Sequence, residues 1–401
     1  MSKQRNGLVK KIKARLIHAG PLFTISRWCL ETARTAYIRA VRTARGIDKN
    51  KIVFSCLMAR TYGDNLKPIS EMLHAKRPNS KIVWMFRDPE SKKGVVPDYV
   101  VCCDPISRRG LAEYATARVW VDNFTLGHYL KRRKGQQFYL NTWHGDRAFK
   151  KYAYDAFPNQ RRRMEEDCDL VLTGSDFGER VLRSAFRYQG ETFCYGSPRN
   201  DCLVNYDPEK AAAIRKKIGV EEGVRLLIFC PTFRDSSRQT ALKSGVDLEK
   251  ALDDLERVTG AKWKCLFRAH HLHTAGLALK ESGRMLDMTG YEDMADLLLI
   301  SDALITDYSS AAMDFCLLNR PIFLYQDDLE DYTHNDRGLH FSMEDSPFLV
   351  AKNQRELTEL IEKTGPEQAA ENCRAIEAFF GFHETGRATE KVCEKIMEWM
   401  A

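Results

Sequence analysis

Phe138-Tyr-Leu-Asn-Thr-Trp-His-Gly145 is a short apolar run that ends in Asn, Thr and a histidine before a glycine. The run reads as a strand over Phe138 to Thr142, so His144 stands where open α/β sheets collect ligands, just past the carboxyl end of a strand. Gly145 lets the backbone turn sharply and come close to a ligand. A second unit of this kind, Leu304-Ile-Thr-Asp-Tyr-Ser-Ser310, lies far downstream. The pair points to one active site built from two halves of the chain.

Working outward, apolar or β-branched runs alternate with helical patterns from residue 50 on. Lys51 to Leu57, Lys81 to Phe86, Ala117 to Asp122, Phe138 to Thr142, Leu170 to Thr173 and Thr192 to Tyr195 read as strands, with helices over Asn65 to Ala75, Arg109 to Ala115 and Phe177 to Ala185. The alternation predicts an α/β fold with a parallel sheet covered on both faces. Turn chemistry then interrupts the pattern at Gly196-Ser-Pro-Arg-Asn-Asp201 and Tyr206-Asp-Pro208. A new series follows, with strands at Arg225 to Cys230, Lys262 to Phe267, Arg284 to Met288, Ala303 to Thr306, Pro321 to Tyr325 and Phe348 to Val350. Helices over Leu248 to Val258, Asp293 to Ile300, Ala311 to Leu318 and Gln354 to Lys363 separate them. The expected organisation is a basic segment, 1–48, then two Rossmann-type units, 49–205 and 206–401, with a cleft between facing strand ends.

The net charge of +7 is unevenly spread. Residues 1–45 hold eleven Lys or Arg against the single acid Glu31, a local +10, so the rest of the chain carries −3. A nucleic-acid binder loses its main support from this count, because the excess basicity is confined to one segment. That segment interleaves its cations with apolar residues at helical spacing, among them Leu8, Ile12, Leu16, Leu22, Ile25, Trp28, Tyr37, Ile38 and Val41. Such a pattern suits a helix lying on an anionic membrane surface, with a basic helix pair packed on the domain as the alternative. It lacks the uninterrupted apolar core of a signal peptide, and nothing in the chain approaches the roughly 18 apolar residues of a membrane span. The twelve cysteines form no ligand-spaced cluster, which argues for a reducing compartment and against a zinc-type metal site.

Three strand-end units carry candidate chemistry. The unperturbed pKa of a histidine lies near physiological pH, so His144 can take a proton from an attacking hydroxyl, although a histidine here can also do no more than satisfy a loop carbonyl. Arg268-Ala-His270-His271 follows Cys265-Leu-Phe267, and Arg234 closes another run in Pro231-Thr-Phe-Arg-Asp235; guanidinium groups grip phosphate oxygens in a forked geometry. Thr306 to Ser310 precedes a helical pattern, so Ser309 and Ser310 can cap it and leave backbone N–H groups facing the cleft, a phosphate site without a glycine-rich loop. Neither a dinucleotide fingerprint, a P-loop nor a Gly-x-Ser-x-Gly elbow is present.

Assembled, these residues resemble the CDP-glycerol glycerophosphotransferase family, the bacterial enzymes that prime or polymerise teichoic-acid and related capsule backbones. The matching units are Tyr62-Gly-Asp-Asn65, Thr142-Trp-His-Gly145, Ser197-Pro-Arg-Asn-Asp201, Pro231-Thr-Phe-Arg-Asp235, Arg268-Ala-His270, Ile305-Thr-Asp-Tyr-Ser-Ser310 with Asp314, and Asp336-Arg-Gly338, in the family's order. The resemblance implies a GT-B-like pair of Rossmann-type domains, with the nucleotide held mainly by the second. It implies a CDP-alditol donor, a hydroxyl acceptor that is lipid-linked or polymeric, release of CMP, no cofactor, and work at the cytoplasmic face of the cell membrane with residues 1–45 on the anionic surface. By position, His144 matches the catalytic base and His270 a second essential histidine. Thr306, Asp307, Ser309 and Ser310 fall on the nucleotide-diphosphate motif, with Arg234 and Arg268 as phosphate partners and Trp143, Gly145 and Asp146 on the acceptor side. Asp146 departs from the family's usual Thr, and Ala269 stands where Pro is common. The chain's length favours a primase or short-chain transferase over a long-chain polymerase. A nucleotide-sugar glycosyltransferase of GT-B fold and a non-catalytic nucleotide-binding protein are the competing readings.

Overall fold

A computed structural model describes residues 20–127, 129–145, 147–159, 167–232, 245–268, 283–335 and 338–401. Seven strands, β1 (Asp48–Ser55), β2 (Lys81–Met85), β3 (Val101–Cys103), β4 (Ala117–Asp122), β5 (Phe138–Asn141), β6 (Leu170–Thr173) and β7 (Glu191–Cys194), form one sheet in the order β3-β2-β1-β4-β5-β6-β7. Six more, β8 (Arg225–Phe229), β9 (Trp263–Phe267), β10 (Met285–Asp287), β11 (Ala303–Thr306), β12 (Ile322–Tyr325) and β13 (Val350–Ala351), form a second in the order β10-β9-β8-β11-β12-β13. All these pairings are parallel. The expected α/β class with two parallel sheets is what the chain adopts.

The cause is legible in the strands themselves. Ile52, Val53 and Phe54 of β1 and Leu226, Leu227 and Ile228 of β8 are completely buried, as continuous apolar runs must be when helices cover both faces of a sheet. The covering helices carry their own stop and start signals. In Leu248–Thr259 the Asp247 carboxylate accepts from the Lys250 N–H at 3.1 Å, and Gly260 ends the helix at φ +66°. Ala251, Leu252 and Leu255 on one face go into the core of the second sheet. A side-chain cap of this kind is worth about 1 kcal/mol, and each buried leucine about 1.5–3 kcal/mol.

In each sheet the strand order reverses at one place, between β1 and β4 and between β8 and β11. Loops leave in opposite directions there, so a crevice opens at the carboxyl ends of those strands. Side chains bridge both crevices. Asn123, just past β4, accepts the Leu57 N–H on Oδ1 at 2.7 Å, and Thr306 at the end of β11 donates to the Cys230 carbonyl at 2.6 Å.

The chain crosses between the sheets more than once. Residues 149–151 lie against 338–340, where the Lys151 N–H meets the Gly338 carbonyl at 3.0 Å and the His340 N–H meets that of Phe149 at 2.8 Å. Phe149 packs there on Phe341 and Phe348, with ring centroids 5.1 and 5.2 Å away. The last helix, Ala388–Met400, packs not on the second sheet but on the first. Its Val392, Cys393, Ile396 and Met400 join the core around Ile69, Leu73 and Trp84, while Trp399 stacks on Phe138 of β5 at 5.1 Å.

Gly20–Arg45 is one helix whose later half docks on the first unit. Ile38 packs with Leu111 and Ala115, and Arg42 reaches the Gln137 side chain at 2.7 Å and the Lys131 carbonyl at 2.8 Å. Its earlier half leaves Ile25, Trp28 and Leu30 exposed. Among the described residues no helix is long and apolar enough to cross a membrane.

Candidate active site

The loop after β5 is built around a left-handed residue. Trp143 has φ +47°, a conformation a bulky side chain adopts only when its surroundings impose it. Three hydrogen-bonding residues do so. Asn141 Oδ1 accepts the Trp143 N–H at 2.8 Å, the Asp122 carbonyl accepts that of Thr142 at 2.8 Å, and the buried Asn65 donates through Nδ2 to the carbonyls of Thr142 and Trp143 at 3.3 and 3.2 Å. The indole fills a slot between Phe124, Tyr152 and Phe186. The result is a fixed direction for the next side chain, His144.

The His144 ring lies against Phe124, with centroids 5.2 Å apart, and its Nδ1 is 2.7 Å from the Asn123 carbonyl. A carbonyl can only accept, so Nδ1 carries the proton and Nε2 is left as the basic atom. Burial pushes the ring's pKa below its ordinary 6.5, partly offset by the Asn123 carbonyl. At neutral pH the imidazole is therefore uncharged and ready to accept a proton. The two sequence readings of this histidine turn out to be compatible: the carbonyl contact is what selects the basic nitrogen.

Across the cleft, a Cβ placed on Gly145 would lie 3.7 Å from Ser310 Oγ. The strand-end units at Gly145 and Ser310 thus meet. Ser310 has helical φ and ψ and makes no side-chain cap; it is Ser309 whose Oγ accepts from the Ala311 N–H at 3.3 Å. The helix that follows is also shorter than expected. It is α-helical only over Ala311–Phe315, tightens to 3₁₀ over Cys316–Leu318, and stops at Asn319 with φ +55°. A macrodipole contributes less over so short a helix, so the anion-binding capacity here rests on individual N–H and hydroxyl donors.

Thr306 and Asp307 are buried, and their hydrogen bonds run to the protein's own loops. Asp307 Oδ1 accepts from the Thr232 N–H at 2.8 Å, from the Thr232 hydroxyl, and from the Tyr308 N–H at 2.6 Å. They lock the loop after β8 onto the loop after β11. Arg268 braces as well: Nη1 donates to the carbonyls of Met288 and Tyr291 at 3.2 and 2.7 Å. Next to Tyr291, Glu292 reaches the first unit, accepting the Tyr62 N–H at 3.0 Å and pairing with Lys92 at 2.6 Å. Arg234, His270 and Asp146 lie outside the described residues.

Beneath this cleft lies a buried polar network that the motifs only partly announced. Arg199 pairs with Asp314 at 3.0 Å and Asp64 at 3.1 Å, and its backbone N–H donates to Asn65 Oδ1 at 3.2 Å. Arg147 pairs with Asp314 at 3.0 Å and Glu384 at 2.8 Å. Asn200 donates to both acids at 2.9 Å, and the Ser197 N–H adds a bond to Glu384 at 2.9 Å. The two guanidinium groups hold the Asp314 carboxyl below the usual carboxylate range despite its burial; burial pushes Glu384 up, opposed by Arg147. Asn65 thereby connects the histidine loop to the ion pairs joining the units.

Two doubly wound parallel sheets whose strand-end loops meet over one cleft define a GT-B-like protein. Within that class the chain belongs to the CDP-glycerol:poly(glycerophosphate) glycerophosphotransferase family, whose model matches residues 36–398. It is 31% identical over 313 residues to the teichoic acid poly(glycerol phosphate) polymerase of Staphylococcus epidermidis, covering 74% of this chain and 43% of that protein. To the polymerase of the same description from Bacillus subtilis it is 26% identical over 416 residues, 98% of this chain and 54% of that one. The chain thus spans about half the length of these two curated relatives. With the teichoic acid glycerol-phosphate transferase of Staphylococcus aureus the identity is 25% over 376 residues, 88% and 94% of the two chains. The solved wall teichoic acid polymerase TagF matches with a TM-score of 0.79 and 27% identity over 98% of both chains.

Proposed function

We propose that the protein transfers an alditol phosphate, glycerol phosphate first, from a CDP-alditol to a hydroxyl of a lipid-linked or polymeric acceptor, in the synthesis of teichoic acid or a related capsule polymer. The observation that carries this is the fixed, uncharged His144, whose basic atom is Nε2 and which directly precedes the Gly145 that meets Ser310. The acceptor O–H gives its proton to Nε2, a new O–P bond forms at the donor's distal phosphorus, and the bond from that phosphorus to the bridging oxygen breaks, so that CMP leaves. Ser309, Ser310, Arg268, Arg234 and His270 neutralise the diphosphate, while Thr306 and Asp307 hold the loops that present those donors. Trp143, Gly145 and Asp146 shape the acceptor side. Phosphoryl transfer of this kind depends on positioning and electrostatics. The family membership and the teichoic acid names of its relatives support the donor class, as does a form of TagF soaked with CDPG that matches with a TM-score of 0.78.

The decisive measurement is CMP release from CDP-glycerol and from CDP-ribitol in turn, with a membrane fraction as acceptor source. Acceptor-dependent CMP release from at least one is the expected result. CMP release from neither, or UDP release from a UDP-sugar, would end this reading.

The same reading places the enzyme on a membrane surface, with residues 1–45 as the contact and the exposed Ile25, Trp28 and Leu30 entering the headgroup layer. Replacing Ile25 and Trp28 together by Glu is expected to weaken co-sedimentation with phosphatidylglycerol vesicles by about tenfold or more. Unchanged sedimentation would leave the helix as a docking element alone.

A further inference from the structure

Immediately after β1 the backbone takes a left-handed turn without a glycine. Leu57, Met58 and Ala59 have φ of 45°, 58° and 61°, and the Arg60 N–H closes the turn on the Cys56 carbonyl at 3.0 Å. Each such residue costs about 1–2 kcal/mol, so the turn persists only because its surroundings dictate it. They do so at every residue. Asn123 Oδ1 takes the Leu57 N–H at 2.7 Å, the Met58 carbonyl accepts Arg87 Nε at 2.8 Å, and the Ala59 carbonyl accepts the Arg87 N–H at 2.7 Å.

The consequence is that Arg60, half-buried, is brought beside Arg87, which is exposed past the end of β2. Burial and the neighbouring Arg87 charge both lower the pKa of the Arg60 guanidinium. Among the described residues no ion pair joins either side chain to a carboxylate: the only charge acting on Arg60 is that of Arg87, and Arg87 Nε donates to a backbone carbonyl. Elsewhere in the cleft the arginines differ, since Arg147 and Arg199 are each matched by acids. Two unbalanced guanidinium groups on an enforced turn form a cradle for an anion with several oxygens, which relieves their repulsion through forked hydrogen bonds.

The location says which anion. The turn hangs from Asn123, whose carbonyl also takes the His144 Nδ1 proton. β1 lies two strand spacings from β5 and β2 three, so the backbone carrying the pair lies roughly 10–14 Å along the sheet from the histidine's strand, on the first unit rather than beside Ser309 and Ser310. We propose that Arg60 and Arg87 bind a phosphodiester of the acceptor, behind the hydroxyl that His144 activates. The site rests on the transfer reaction proposed above. It gives the enzyme a grip on an acceptor that already carries phosphate, and so a means of preferring a started chain.

The test uses the full chain with Arg60→Gln and Arg87→Gln, singly, and CMP release from CDP-glycerol onto a synthetic alkyl-lipid acceptor ending in tri(glycerol phosphate). The KM for that acceptor is expected to rise about tenfold or more in each variant, with the rise shrinking at high salt. The KM and Kd for CDP-glycerol should stay at wild-type values, and the retained Kd also shows that the variants fold. An unchanged acceptor KM overturns the site, and a raised donor KM overturns it by assigning the pair to the donor. Failure of the wild-type protein to release CMP would instead remove the reaction itself, a result distinguishable from arginine variants that match an active wild type.

Discussion

His144→Ala lowers turnover by about a hundredfold or more while leaving CDP-glycerol binding near its wild-type value, because a positioned general base contributes about 10²–10⁴-fold. The expectation follows from one hydrogen bond: with Nδ1 donating to the Asn123 carbonyl, only Nε2 can take the acceptor's proton. His144→Asn makes the sharper comparison, since its amide can still donate to a carbonyl yet offers no base. It should be as slow as the alanine variant. The pH dependence tests the same assignment. Neutral imidazole is the working form, and burial holds its pKa below 6.5, so kcat/KM for the wild type is lost only as pH falls below that value. An acid limb centred above 6.5, or either variant keeping more than about a tenth of wild-type turnover, would remove His144 from the role of base.

How far the sequence foretold this depends on what each residue does. The strands were readable because burial on both faces demands uninterrupted apolar runs, and their ends were readable because the next residues are polar. Val101–Cys103 is too short to carry that pattern, being three residues at a sheet edge. The helices Pro366–Phe380 and Ala388–Met400 follow the last strand without a further one to frame them, and nothing local in the last helix indicates that its apolar face belongs to the first sheet. In the site, position was easier to foresee than role. A polar residue past a strand end can meet a ligand or brace a loop, and sequence does not announce that Asp307 accepts the Thr232 N–H. Arg199 and Asn200 sat in a recognised motif without a task. Arg147 and Glu384 gave no signal, since Gly381-Phe-His-Glu-Thr-Gly386 has the composition of an ordinary turn between helices. Nor did Leu57-Met-Ala59 betray a left-handed turn, which sequence usually marks with glycine.

The buried network carries the largest expected effect on stability. Arg147 is almost wholly inaccessible, sits 4.4 Å from the Phe382 ring centroid, and is the guanidinium that Asp314 of the second unit shares with Glu384 near the chain's end. Arg147→Met keeps most of the volume but strips both acids of a guanidinium in a place water does not reach. Breaking a buried pair from one side costs about 3–5 kcal/mol, far more than the pair is worth relative to an apolar replacement, because the abandoned charge remains. Asp314 keeps Arg199 at 3.0 Å, whereas among the described residues Glu384 keeps the neutral donors Ser197 N–H and Asn200. The loss should therefore be concentrated on Glu384. Adding Glu384→Gln to the Arg147→Met protein is expected to recover part of the stability, so that the double variant loses less than the sum of the singles in urea unfolding followed by intrinsic tryptophan fluorescence. Additive losses would mean that the two side chains act separately, and a cost below about 1 kcal/mol for Arg147→Met would mean that the ion pair does not hold the units together.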